Sequence, residues 1–87
     1  MQKHATQLKN YDKNLEELAN ELGDLRYDAL SEFLLHLSKK LKKDSLADRE
    51  RNRIQLANNL KNASNAVKES SYSIKKAWKI CEPFMKE

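Results

Sequence analysis

The sequence predicts an all-α protein, a helical bundle of three helical segments. A single Gly and a single Pro among 87 residues leave little material for hairpin turns. Leu, Lys, Glu, Ala, Asn and Ser outnumber the β-branched residues, and apolar residues recur at spacings of three and four. A chain of this length supports one core, so we expect a single all-helical domain spanning residues 1–87.

The first helical segment is predicted at about residues 3–22. Leu8, Tyr11, Leu15, Leu18 and Leu22 follow one another at three- and four-residue spacings, as on one stripe of a helix. Gly23 and Asp24 then fit a helix stop followed by a new N-cap. A continuous helix with a kink near Gly23 is the alternative.

The second helical segment is predicted at about residues 25–43. Its apolar stripe, at the same spacings, comprises Tyr27, Leu30, Leu34, Leu37 and Leu41. Ser45 with Asp48 three residues later resembles a capping box, in which Ser45 would be the N-cap of the next helix.

The third helical segment is predicted to be long, about residues 46–82, because neither Gly nor Pro interrupts it before Pro83. Large and small residues alternate along one of its stripes, a pattern that lets another helix approach closely. Since such a helix would outreach its neighbours, we expect an antiparallel homodimer; a compact monomer with a break near Ser70–Ser73 is the competitor. The predicted dimer or partner interface is Leu56, Leu60, Ala63, Val67, Ser70, Ile74, Ala77 and Cys81.

Catalysis is not expected, and neither catalytic residues, a metal site nor a cofactor is predicted. A single Gly excludes most phosphate-cradling loops, and metalloprotease and nucleophile-elbow motifs are missing. Asp28, Glu32 and His36 form a ladder at four-residue spacing, but di-iron bundles use a three-residue spacing on paired helices. His36 with Lys39 resembles histidine phosphotransfer domains, although Lys40 stands where those domains carry a small residue.

One strongly basic stretch, Lys39 to Arg53, is the candidate phosphate-binding surface. Several of its lysines would stabilise the C-terminal end of the second helix, whereas arginines at the start of a third helix oppose the helix dipole. A tight turn would gather these charges at one end of the bundle and favour sequence-nonspecific, salt-sensitive nucleic-acid binding. The residues are Lys39, Lys40, Lys42, Lys43, Arg49, Arg51 and Arg53.

The expected function is that of a small regulatory or adaptor protein that binds other proteins, with nucleic-acid binding as the alternative. The lone Cys81 cannot form an intramolecular disulfide, and the N-terminal residues lack the apolar segment of a signal peptide. The longest apolar run in the chain is far too short to span a bilayer. We therefore expect a cytoplasmic protein without membrane contact.

Overall fold

The computed structural model describes residues 4–84 and confirms the all-α fold class. It contains three α-helices, α1 (Leu15–Gly23), α2 (Tyr27–Glu50) and α3 (Ile54–Cys81), and a short 3₁₀ turn at Glu82–Phe84. α2 and α3 form a long antiparallel hairpin that contains nearly all of the packing between elements. α1 has no buried residue and makes little contact with the hairpin.

α1 begins at residue 15, twelve residues later than the periodicity predicted. The side-chain oxygen of Asn14 accepts a hydrogen bond of 2.8 Å from the Glu17 amide, which makes Asn14 the N-cap. Short polar residues such as Asn10, Asp12 and Asn14 compete for backbone hydrogen bonds and favour non-helical conformations. The apolar spacing across Leu8 and Tyr11 was therefore not sufficient to extend the helix.

The chain turns after α1, which agrees with the predicted helix stop at Gly23 and not with a continuous, kinked helix. α1 ends at Gly23, and the amide of Asp24 donates to the carbonyl of Asn20 to cap it. α2 then starts at Tyr27, so Asp24 is not the N-cap of α2. The carboxylate of Asp28, in the first turn, instead accepts bonds from the Arg26 guanidinium at 2.6 and 2.8 Å.

α2 continues through the predicted boundary at residues 44–45 and ends at Glu50. Asp44 forms a 2.7 Å ion pair with Lys40 one turn earlier, which supports the helix at this point. Ser45 is buried inside the hairpin rather than capping a helix, since its hydroxyl donates to the carbonyl of Ala57 at 2.6 Å. The prediction of a capping box at Ser45 and Asp48 was wrong.

The turn between α2 and α3 comprises residues 51–53. Asn52 has a positive φ of 61°, a left-handed conformation that Asn adopts more readily than most residues. The carbonyl of Asp48 accepts bonds from the amides of both Arg51 and Arg53 at 3.1 and 2.9 Å. α3 starts at Ile54, eight residues later than predicted, and ends at Cys81, one residue before the predicted end.

Small residues at seven-residue spacing line the contact between α2 and α3. The serine seam, as we call it, consists of three opposed pairs, and all six residues are buried: Ser31 with Ser71, Ser38 with Ser64, and Ser45 with Ala57. The two residue numbers have the same sum in every pair, as expected for antiparallel helices in constant register. The helices can approach closely here because no large side chain separates them.

Four of the five hydroxyl groups in the serine seam are satisfied by backbone carbonyls of the opposite helix. Ser31 and Ser71 donate to each other's carbonyl at 2.9 and 2.8 Å, and Ser64 donates to the carbonyl of Ser38 at 2.7 Å. Ser38 donates within its own helix to Leu35 at 2.8 Å. A buried hydroxyl without a partner would be costly, so these bonds make a polar seam compatible with the hairpin.

Candidate protein-interaction surface

Each of the two helices places a row of apolar residues on the same side of the serine seam. Most of these residues lie one position before or three positions after a seam residue, and Tyr27, Ala77 and Cys81 continue the same positions one seven-residue repeat farther along. Helical geometry assigns both positions to a single flank. A cleft at the turn end has Asp44 and Asp48 of α2 and Leu56 and Leu60 of α3 in its lining, so the flanks of both helices belong to the same face. We call it the front face: Tyr27, Leu30, Leu34, Leu37 and Leu41 of α2, and Leu56, Leu60, Ala63, Val67, Ser70, Ile74, Ala77 and Cys81 of α3.

The front face is only partly covered. Leu34 of α2 and Leu60 and Val67 of α3 are half-buried between the two helices, whereas Leu37 is 37% and Leu56 46% exposed. Among the residues that the structure describes, Ala57 is the only hydrophobic residue that is fully buried. The hairpin therefore leaves much of its apolar surface only partly covered instead of enclosing it fully in a core.

The interface residues predicted from the sequence all lie along the front face of α3. Leu60, Val67, Ile74, Ala77 and Cys81 are half-buried beside α2. The remaining three, Leu56, Ala63 and Ser70, are exposed. Whether a second copy or another protein covers this row stays a prediction.

Sequence reasoning did not identify the serine seam itself. The small residues of the predicted row were Ala63, Ser70 and Ala77, but the buried small residues that contact α2 are Ser64 and Ser71, the neighbours of the first two. A signal for them was present, because Ser31, Ser38 and Ser45 repeat at seven residues and match Ala57, Ser64 and Ser71. Two rows of small residues run side by side along α3, and only packing against α2 distinguishes them.

The opposite side of the hairpin, the back face, is charged. Of the six positions four residues after a seam residue, five are exposed cations and the sixth is the half-buried Leu35; the cations are Lys42 and Arg49 in α2 and Lys61, Lys68 and Lys75 in α3. On the front face of α3, by contrast, no charged residue occurs between Leu56 and Cys81. Basic residues are thus concentrated on the back face, although the exposed Leu46 and Tyr72, each one position after a seam residue, also lie on that side.

The basic stretch is more dispersed than the sequence predicted. Because the turn lies at residues 51–53, Lys39 and Lys43 are some eight to twelve residues up α2, about 12–18 Å from it. The seven cations therefore do not gather at one end of the hairpin.

Four members of the basic stretch have partners in the described part of the chain. The Lys40 ammonium pairs with Asp44, and the guanidinium groups of Arg51 and Arg53 lie 3.7 and 3.5 Å from the Asp48 carboxylate. Arg49 donates to the side chain of Asn58 at 2.7 Å. The other three, Lys39, Lys42 and Lys43, make no ion pair with a described residue.

The open end of the hairpin contains a cleft of about 590 Å³ in which Trp78, Tyr27 and Cys81 lie beside the α1–α2 turn. The guanidinium of Arg26 stacks over the Trp78 ring at 5.1 Å from its centroid, while also holding the Asp28 carboxylate. This hydrogen-bonded ion pair keeps the pKa of Asp28 below its ordinary value. The contacts tie the start of α2 to the end of α3.

The acidic and histidine ladder of α2 does not come together as a metal site. His36 lies 3.7 Å from Glu32 on exposed helix surface, whereas Asp28 is paired with Arg26. Within residues 4–84 no cluster of three or more His, Cys, Asp or Glu side chains is positioned to hold a metal ion.

No protein-family model, curated protein or solved structure matches the chain at a significant level. None of the helices in the described part of the chain combines the length and the apolar character needed to cross a bilayer.

Proposed function

We propose that the protein is a small regulatory or adaptor module that acts by binding proteins rather than by catalysis, with the front face as its binding surface. The observation that supports this proposal is the partly covered apolar face on a hairpin whose opposite face is charged. Apolar surface of this extent is typical of sites that other proteins cover.

The partner class that suits the front face is an amphipathic helix. Two parallel rows of apolar side chains, one from each helix, flank a shallow groove along the serine seam. A helix laid in such a groove buries its own apolar stripe, as in helix-in-groove recognition. A homodimer satisfies the same requirement, because each copy would supply helices to the other.

The function is tested by comparing partners retained by the wild-type protein and by two leucine variants. Leu37→Glu places a charge on the front face, whereas Leu46→Glu places the same charge at a 55% exposed position away from it. We expect Leu37→Glu to lose specific partners and Leu46→Glu to keep them, measured by quantitative mass spectrometry and then by direct binding of each purified partner. Equal retention by both variants would contradict the proposal.

Nucleic-acid binding is the second candidate function, and the free lysines support it. Lys39, Lys42 and Lys43 make no ion pair with a described residue and could neutralise phosphates. No aromatic residue occurs between Lys39 and Arg53 to stack on bases, so such binding would be sequence-nonspecific and salt-sensitive.

A fluorescence titration of single- and double-stranded DNA and RNA at several salt concentrations tests this second function. The variant replaces the three lysines with Glu, and the control reverses Lys75, Lys76 and Lys79 near the opposite end of the hairpin. Affinity that falls steeply with salt and is lost only in the first variant would support the hypothesis. Equal loss in both variants would indicate general charge attraction and contradict a specific site.

The cytoplasm is the compartment we propose, because the lone Cys81 forms no intramolecular disulfide and is half-buried in the hairpin.

A further inference from the structure

The chain exposes far more surface than a compact monomer of its mass. Its accessible surface is 7540 Å² for 10.2 kDa, whereas the scaling law for folded monomers gives about 5300 Å². The radius of gyration is 15.8 Å, compared with about 12 Å for a compact domain of this length. Part of the excess surface belongs to α1, which has no buried residue, and the rest belongs to the hairpin, whose front face is only partly covered.

The apolar part of the front face has the area that a stable dimer needs. It extends from Leu60 to Cys81 along α3, about 30 Å, and across two helices, about 20 Å. Covering it would bury about 600 Å² per copy, or about 1200 Å² in total, at the lower end of specific interfaces. The turn end is polar and is lined in part by His4, so the contact would concentrate nearer the open end.

The rows next to the serine seam differ in size between the two helices. α2 carries the large residues Leu30 and Leu37, while α3 carries the small residues Ala63, Ser70 and Ala77. Large side chains pack best against small ones when two helices approach closely. This difference favours α2 of one copy lying on α3 of the other.

The constant register of the serine seam specifies where these rows would meet. With the two-fold axis parallel to the helices, α2 of the second copy lies at the same height as α2 of the first. Leu37 of one copy then falls at the level of residue 65 of the other, beside Ala63 and Ala66. Leu30 falls at the level of residue 72, beside Ser70 and Ser73, so both leucines oppose small residues.

We propose that the partner covering the front face is a second copy of this chain, stacked face to face with α2 on α3 to form an antiparallel four-helix bundle. This inference rests on the proposed function, since it names the occupant of the same surface. All neighbouring helices in the bundle are antiparallel, and both inter-helical turns lie at the same end. The charged back faces remain outside.

The molar mass of the full chain, measured by size-exclusion chromatography with light scattering at several concentrations, tests whether a second copy covers the front face. We expect twice the monomer mass for the wild-type protein and for Leu46→Glu, and the monomer mass for Leu37→Glu. Circular dichroism checks that the Leu37→Glu hairpin remains helical. A wild-type protein that stays monomeric up to its solubility limit would overturn the homodimer, while retention of other proteins at the front face would leave the proposed function standing.

Disulfide cross-linking tests the arrangement even if Leu37→Glu fails to fold. In a Cys81→Ser background, one chain carries Leu37→Cys and a second, differently tagged chain carries Ala66→Cys. We expect a mixed disulfide between the two chains under mild oxidation. The matched control, Asn65→Cys, is at the same height on the other side of α3, and equal cross-linking to both positions would overturn the arrangement.

Discussion

At the scale of single residues, the serine seam shows how a polar residue can serve as a close helix contact. Ser64 is 4% exposed and lies opposite Ser38, where its hydroxyl donates to a carbonyl. The side chain is small enough for close approach, and its polar group has a partner. We therefore expect the size of this side chain to matter more for stability than its hydroxyl does.

Replacing Ser64 separates the effect of size from that of hydrogen bonding. We expect Ser64→Ala to change the free energy of unfolding by at most about 1 kcal/mol, because one neutral hydrogen bond contributes about that much. Ser64→Leu should lose about 1–3 kcal/mol, because it forces the helices apart. Chemical denaturation measures both, with exposed Asn65→Leu as the control; a Ser64→Leu variant as stable as the control would contradict close packing.

The ion pair of Arg26 and Asp28 gives a pH-dependent contribution to stability. Since the guanidinium keeps the pKa of Asp28 below its ordinary value, the contribution is present above that value and is lost as pH falls through the folded-state pKa. We expect Arg26→Gln to raise the pKa of Asp28, measured by NMR titration of its carboxyl carbon. Arg51→Gln, which pairs with a different acid, should leave the titration of Asp28 unchanged.

At the scale of elements, the boundaries depend on local side-chain chemistry that competes with apolar periodicity. Asn14 starts α1 by accepting a backbone hydrogen bond, although the Leu and Tyr spacing continued towards the N-terminus. The end of α2 is set by the turn at Asn52, beyond a Ser–Asp pair that resembles a cap. The side chain of Asn14 thus decides where α1 begins, and the backbone conformation of Asn52 decides where α2 ends.

Asn52 should be the residue in the turn that is most sensitive to substitution. Its positive φ is unfavourable for most residues with a Cβ, but Asn tolerates it because its short polar side chain can hydrogen-bond locally. Asn52→Ala is therefore expected to cost about 1 kcal/mol. Asn52→Gly should be as stable as wild type, because Gly adopts this conformation freely. Thermal or chemical denaturation measures the effect.

Asn62→Ala, on exposed helix surface, is the control for the Asn52 variants and should gain a few tenths of a kcal/mol, about the difference in helix propensity. If Asn52→Ala behaves like Asn62→Ala, the turn does not have the left-handed conformation.

At the scale of the whole molecule, the chain is elongated, and its hairpin combines a partly covered apolar face with a small fully buried core. A chain with one fully buried hydrophobic residue in its described part gains little from burial alone. Its stability should therefore be linked to assembly, and association by mass action then contributes to the free energy of unfolding.

This linkage predicts that the melting temperature rises with protein concentration. We expect an increase for the wild-type protein and for Leu46→Glu, because unfolding also dissociates the bundle and a higher concentration favours the folded dimer by mass action. The Leu37→Glu variant should melt at a lower temperature that does not depend on concentration. Scanning calorimetry over a range of concentrations measures it, and a constant wild-type melting temperature would argue against coupled folding and assembly.

The sequence by itself determined the fold class, the long α3 and the row of residues on its front face. These features follow from local periodicity and from the scarcity of Gly and Pro, which act within one helix. Tertiary structure alone decided that Ser64 and Ser71, and not Ala63 and Ser70, contact α2. It also decided that Ser45 is a packing residue. Both depend on which faces of two distant segments meet, because neighbouring rows with the same seven-residue repeat are equivalent until a second helix packs against one of them.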